Sequence, residues 1–244
     1  MIIKNLLIKI LGNLKRKTFG KLINRVNIFN LKRQNVGKNT YIDRSVQVLG
    51  WENVRIGSNS IISEDSWINI NHRNSGTISL NIGDNCFIGR RNFFTTGSSI
   101  EIGAYCLTGV NCTFLGAGHV YKSPLIPYIT AETTEGGAIK IGANCWLGAN
   151  VTVLKNVKIG YGSIIGAGTL VTKNVPPLSI VVGNPGRITK RFDLKQQVWI
   201  DVGEYSSDND LNLMSESEYL EILKETNRDL RGYWIASSKL FGDL

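Results

Sequence analysis

Two histidines carry most of the acid–base chemistry open to this chain near neutral pH, and they stand in different settings. His119 follows Leu115-Gly116-Ala117-Gly118 and precedes Val120-Tyr121, where a regular pattern gives way to a long irregular stretch. An imidazole projecting there from a rigid element, with a loop closing over it, suits a general base. His72 lies in Asn71-His72-Arg73-Asn74, a polar turn that could contact a substrate or be a plain surface loop. Arg91 and Asn92, in the turn Arg90-Arg91-Asn92, are further candidates for substrate contact. The cysteines, Cys86, Cys106, Cys112 and Cys145, form no CxxC pair, and with only two histidines no metal site is expected. They read as reduced core residues. There is no GxSxG, no Cys beside a His and no carboxylate pair at short spacing, so direct transfer without a covalent enzyme intermediate fits best. Small residues make an edge at Gly148-Ala149 and Gly166-Ala167-Gly168, followed by Thr172-Lys173 and then Arg187, Lys190 and Arg191. Such an edge admits a thin ligand along the backbone, with cations to meet phosphates at its far end. The plain alternative is that the glycines only turn corners and the cations are solvated.

These residues sit in or beside a short repeat. From Ile141 to Pro176 the aliphatic residues Ile141, Leu147, Val153, Ile159, Ile165 and Val171 recur every six residues, with Gly142, Gly148, Gly160 and Gly166 directly after four of them. Helical periodicity cannot give that spacing. A fixed period of six is the mark of a parallel β-helix, in which three hexapeptides make one triangular coil and stacked coils bury a column of aliphatic side chains. The pattern continues upstream through Val36, Ile42, Ile56, Ile62, Ile82, Ile88, Phe94, Ile102, Thr108 and Phe114, with phase slips near 47–55, 69–81 and 95–101. A longer excursion, residues 116–138, holds Pro124 and Pro127 and interrupts the repeat; such excursions are where function usually lives.

The 244 residues carry a net charge of +9, but unevenly: +10 over residues 1–40, +5 over 41–192 and −6 over 193–244. Three segments follow: a basic N-terminal segment 1–35, a β-helix 36–191, and an acidic, largely helical appendage 192–244. In the first, Ile2, Ile3, Leu6, Leu7, Ile10, Leu11 and Leu14 fall at helical spacing among lysines. That short amphipathic helix packs on protein, or residues 1–33 make a weak peripheral contact with anionic lipid. In the last, Ser215 and Glu218 form a capping box ahead of Tyr219, Ile222 and Leu223, and Trp199 and Trp234 are read as capping the last coil or a subunit contact. Lys4 and Lys9 break the most hydrophobic stretch, so neither a membrane span nor a secretory signal is expected, and the default compartment is the cytoplasm. No nucleic-acid-binding motif accompanies the basic charge.

The stretch Ile141-Gly142-Ala143-Asn144-Cys145-Trp146-Leu147-Gly148-Ala149-Asn150, with Ile165-Gly166-Ala167-Gly168, Val171-Thr172-Lys173-Asn174-Val175-Pro176-Pro177 and Gly183-Asn184-Pro185-Gly186-Arg187, resembles the hexapeptide-repeat acyltransferases. The likeness is to the galactoside, maltose and polysaccharide O-acetyltransferase branch and covers roughly residues 36–191. It implies a left-handed parallel β-helix, a homotrimer, and acetyl-CoA held in the groove between neighbouring β-helices. By position it makes His119 the base that deprotonates a hydroxyl of a sugar or glycan. Gly148, Ala149, Gly166, Ala167, Thr172 and Lys173 then line the pantetheine, and Arg187 and Lys190 lie near the CoA phosphates. Glu132, Glu135 or a backbone carbonyl would orient His119. The stretch Gly118-His119-Val120-Tyr121 departs from the His-Pro of the galactoside enzymes, which argues against a galactoside acceptor. N-acetyl transfer to an amino sugar uses the same fold, and a non-enzymatic binding module is the rival from outside enzymology. Serine acetyltransferase would need a long helical N-terminal domain, and the β-helical carbonic anhydrases need three zinc-binding histidines.

Overall fold

The computed structural model describes residues 35–73, 76–134, 136–206, 210 and 213–226. The proposed N-terminal helix, Trp234 and Glu135 lie outside them. The chain divides into two compact units, 1–189 and 190–244.

The first unit is a parallel β-helix whose walls are three sheets. One face stacks β1 (Tyr41–Ile42), β4 (Ile61–Ile62), β7 (Phe87–Ile88), β10 (Leu107–Thr108), β13 (Trp146–Leu147), β16 (Ile164–Ile165) and β18 (Ser179–Val182). The second stacks β2 (Gln47–Leu49), β5 (Trp67–Ile70), β8 (Phe93–Thr96), β11 (Thr113–Leu115), β14 (Thr152–Leu154) and β17 (Leu170–Val171). The third stacks β3 (Val54–Ile56), β6 (Leu80–Ile82), β9 (Ser99–Ile102), β12 (Ala138–Ile141) and β15 (Val157–Ile159). The aliphatic repeat is the inner lining of this stack. Ile62, Ile88, Thr108, Leu147, Ile165 and Val181 pair in register up the first face, and Ile68, Phe94, Phe114, Val153 and Val171 up the second. Ile56, Ile82, Ile102, Ile141 and Ile159 do the same on the third. All are 2 % exposed or less, so each coil buries apolar surface only against the coils above and below. The final coil is cut short: Val175, four residues after Val171 rather than six, bridges Ile159.

Small residues at the corners follow from the close stacking of backbones there. A Cβ on Gly103 would lie 2.6 Å from the amide nitrogen of Ala143 in the next coil. Small donors satisfy the carbonyls that turn inward: Ser60 Oγ donates to Gly83 O at 3.0 Å, and the thiols of Cys86, Cys106 and Cys145 donate to Gly103, Gly142 and Gly160 O at 3.1–3.2 Å. Burial pushes the Cys106 thiol well above its ordinary range and that of Cys112 up to about 11. All four cysteines are buried, and the Cys106 and Cys112 thiols are protonated in the folded state. Their contribution to stability is complete below the unfolded thiol pKa of about 8.5 and is lost as pH rises through it towards the folded values. Native protein at pH 8 should therefore react with a thiol reagent at all four cysteines only as fast as it unfolds, and its melting temperature should fall above about pH 9. Rapid labelling of any one thiol in the folded state would contradict this placement.

In the second unit, expected from sequence to be largely helical, the described residues hold a hairpin as well as a helix. Lys190–Asp193, the end of β19 (Arg187–Asp193), pair antiparallel with β20 (Val198–Asp201). Phe192 and Trp199 meet edge to face at 5.2 Å, so Trp199 packs within the hairpin. Arg191 is buried, 2.6 Å from Asp210 and stacked over the Tyr205 ring. The helix α1 (Glu216–Thr226) begins at the expected capping box: Ser215 N–H donates to Glu218 Oε2 at 2.7 Å and Glu218 N–H to Ser215 Oγ at 3.3 Å.

Candidate functional site

The inward-facing residues show where the chain leaves its repeat. Spacing is six everywhere up to Val171 except from Val48 to Ile56, Ile68 to Ile82, Phe94 to Ile102 and Phe114 to Ile141. Each of these four excursions leaves the second face and returns on the third, so all of them stack at one corner of the prism. The sequence shows the slips but not their shared corner, which appears only when coils are counted.

The longest excursion is a hairpin with a defined neck. Thr134 N–H donates to Gly118 O at 2.7 Å, Gly118 N–H to Thr134 Oγ1 at 3.1 Å and Val120 N–H to Glu132 O at 2.9 Å, while His119 bridges Thr133. His119 is therefore a residue of the neck, with an exposed side chain held by geometry on both strands. Its Nδ1 is 3.2 Å from the carbonyl oxygen of Ala131. A carbonyl can only accept, so Nδ1 carries the proton and Nε2 has its lone pair free. Of the orienting groups expected from sequence, a backbone carbonyl, that of Ala131, meets the ring among the described residues, and Glu132 enters the neck through its own carbonyl. Beyond the neck the tip presents Tyr121, Leu125, Ile126, Tyr128 and Ile129, all more than half exposed. Val120, Lys122, Ile126, Tyr128 and Ala131 enclose a largely apolar cleft of about 200 Å³ beside it.

The small-residue edge divides between two corners. Gly148-Ala149 and Gly166-Ala167 stack at the corner between the first and second faces, where a Cβ on Gly148 would lie 2.7 Å from Ala167 N. Thr172 and Lys173, both exposed, lie at the His119 corner, two coils on, or roughly 10 Å at the usual strand spacing. Leading to the Gly148 corner on the first face, Leu107, Trp146 and Ile164 point outward in register, with Trp146 51 % exposed. Trp146 was not singled out from sequence, though its place just before inward-facing Leu147 marks it as outward. Arg187 is exposed, and Lys190 is paired with Asp201 at 3.1 Å.

The substrate candidates are placed apart from one another. Arg91 and Asn92 turn the corner between the first and second faces, not the His119 corner. Arg91 has a φ of 54° and donates through Nε to Asn111 Oδ1 at 2.9 Å. Asn92 is buried, its amide shared among Gly89, Arg90 and Gly109 carbonyls, which makes it a strut of the corner. His72 belongs to the excursion at the His119 corner, with Nε2 3.4 Å from Thr134 O. Among the described residues no group of three metal-ligating side chains occurs, and no helix is long and apolar enough to cross a membrane.

The family model "Bacterial transferase hexapeptide (six repeats)" matches residues 138–173. A protein named as an acetyltransferase from Staphylococcus aureus (strain Mu50) is 41% identical over 113 residues, which cover 46% of this chain and 55% of that protein. The chloramphenicol acetyltransferase of Klebsiella aerogenes is 29% identical over 107 residues, covering 37% of this chain and 51% of that one. The chain thus spans about half the length of these curated relatives. Among solved structures, AntD, an N-acyltransferase from Bacillus cereus in complex with dTDP and 3-hydroxybutyryl-CoA, shares the fold at a TM-score of 0.56 and 20% identity, over 80% of this chain and 95% of that one. Residues 138–173 therefore match bacterial transferase hexapeptide repeats, and the parallel β-helix they belong to is a fold shared with AntD.

Proposed function

We propose that this chain is an acetyl-CoA-dependent O-acetyltransferase acting on a hydroxyl of a sugar or glycan precursor, with His119 as general base. The observation that carries this reading is the Nδ1 contact to Ala131 O, which leaves Nε2 as an exposed, oriented acceptor. A sugar hydroxyl is a weak nucleophile, so Nε2 takes its proton as the oxygen attacks the thioester carbonyl. The tetrahedral adduct then collapses, the C–S bond breaks, and the imidazolium returns its proton to the departing CoA thiolate. Through its Nδ1 proton, Ala131 O stabilises the positive ring between those steps. Names of curated relatives and the CoA complex of AntD support acetyl-CoA as the donor. The bare backbone at Gly148-Ala149 and Gly166-Ala167, with Trp146 beside it, gives the pantetheine a wall.

One chain offers only one wall of such a groove. The outward row of the first face, Phe87, Leu107, Trp146 and Ile164, is apolar, whereas the third presents Arg55, Asn81, Glu101, Lys140 and Lys158. That contrast supports a homotrimer in which the apolar face is covered by a neighbour.

The deciding experiment incubates the protein with labelled acetyl-CoA and a panel of methyl glycosides and amino sugars. Alkali-labile label on a glycoside supports O-transfer, alkali-stable label on an amino sugar indicates N-transfer, and no thioester cleavage with any acceptor removes the enzymatic reading. In the same assay Lys173→Ala should raise the acetyl-CoA KM by about 5- to 20-fold with kcat little changed, as for a contact to the CoA chain that is equally strong in ground and transition states. Lys190→Ala should do less, because Asp201 already offsets that charge. No effect at Lys173 would take it out of the site, and an equal effect at Lys190 would mean that Asp201 does not offset that charge.

A further inference from the structure

We propose that His72 is a positioning residue: its imidazole braces the neck of the hairpin that carries His119 and so sets where the base stands. The inference rests on His119 being that base. Three features of the shared corner support it. His72 is fixed at its own root, because Asn71 donates through Nδ2 to Thr95 Oγ1 at 2.9 Å and to Thr96 O at 3.1 Å. Its half-buried ring then reaches 62 residues along the chain to Thr134 O at 3.4 Å, the long end of hydrogen-bonding range, with Nε2 as donor. Thr134 is in turn the residue clamped onto Gly118, through its amide at 2.7 Å and its hydroxyl at 3.2 Å, one position before His119.

The excursions are also packed backbone to backbone between those contacts. A Cβ on Gly97 would lie 2.3 Å from Gly116 O and 2.6 Å from Gly137 O, where the hairpin leaves and rejoins the coil. The foot of the hairpin is thus packed on the adjacent excursion at Gly97, whereas its neck meets, through His72, the excursion two coils earlier. A base misplaced by about 1 Å loses up to about 100-fold in rate, so a brace at this point acts on catalysis without touching substrate.

Glutamine carries its amide nitrogen near the place of histidine Nε2, whereas asparagine carries it near Nδ1. The test compares His72→Ala, His72→Gln and His72→Asn with the parent in acetyl transfer to the methyl glycoside panel, together with trypsin nicking after exposed Lys122 at the hairpin tip. For Ala and Asn, kcat should fall roughly 10- to 100-fold with acetyl-CoA KM unchanged, and nicking at Lys122 should quicken. Gln should restore both. Unchanged kcat and nicking in His72→Ala would overturn the proposal. So would a rise in acceptor KM alone, which marks a substrate contact, or a Gln variant as impaired as Ala, which marks imidazole chemistry. A general loss of melting temperature in His72→Ala, with nicking throughout the chain, would also count against it. A folded His119→Ala protein that keeps full activity would remove the base reading by itself, and the Lys122 nicking would still decide whether His72 holds the neck.

Discussion

His119→Ala should keep the fold, the oligomeric state and acetyl-CoA affinity, and lose roughly 10²–10⁴ in kcat, the range for removal of a positioned proton acceptor. The structure makes this loss separable from unfolding. The His119 side chain is exposed and hydrogen-bonds to Ala131 O, while the neck is closed by backbone groups of Gly118, Val120, Glu132 and Thr134 that an alanine leaves intact. Measurement of kcat, acetyl-CoA KM and melting temperature on the same preparations decides the matter. Full activity in a folded His119→Ala protein would refute the mechanism while leaving the β-helix untouched.

The β-helix was legible in the sequence because its two requirements act on every coil. Something aliphatic must face the lumen at each sixth position, and something small must allow backbones to approach at the corners. Even Thr108 obeys the first rule: it is β-branched and buried, and its hydroxyl accepts from Gly89 N–H at 3.0 Å. His119 was legible for a related reason, since it stands where the repeat stops. What holds it was not. Apart from the Thr134 hydroxyl, the neck joins Gly118–Val120 to Glu132–Thr134 through backbone groups, which carry no residue signature, and the carbonyl of Ala131 could belong to any residue. Asn92 looked like a polar turn residue, yet its three carbonyl contacts come from two successive coils, a relation visible only in three dimensions. The hairpin of Arg187–Asp193 and Val198–Asp201 was hidden differently, because acidic composition and a strong helix signal at Ser215 were extended over residues that alternate as strands.

The largest stability effect should come from Phe114, and it bears on the site as well. Phe94 and Phe114 are fully buried and lie face to face inside adjacent coils, with ring centroids 4.5 Å apart and planes 3° from parallel. Phe114→Ala empties most of the lumen of one coil, and the rigid walls cannot close over the gap because each strand is in register with strands on both sides. The cost should be about 3–5 kcal/mol, at the upper end because the ring contact with Phe94 is lost too. For a chain of this size that lowers the melting temperature by roughly 6–20 °C, compared at one protein concentration so that any association is held constant. Thr113→Ala, on the outward side of the same strand, should cost less than about 1 kcal/mol. Coils in a solenoid are stabilised by their immediate neighbours, so the damage should concentrate on the coils at Phe94, Phe114 and Val153. The hairpin with His119 starts two residues after Phe114. Activity in Phe114→Ala should therefore fall at temperatures well below the global transition, with hydrogen exchange quickening first in residues 113–115. A Phe114→Ala protein no less stable than Thr113→Ala would mean that this coil has room to repack, and that its lumen does not hold the base in place.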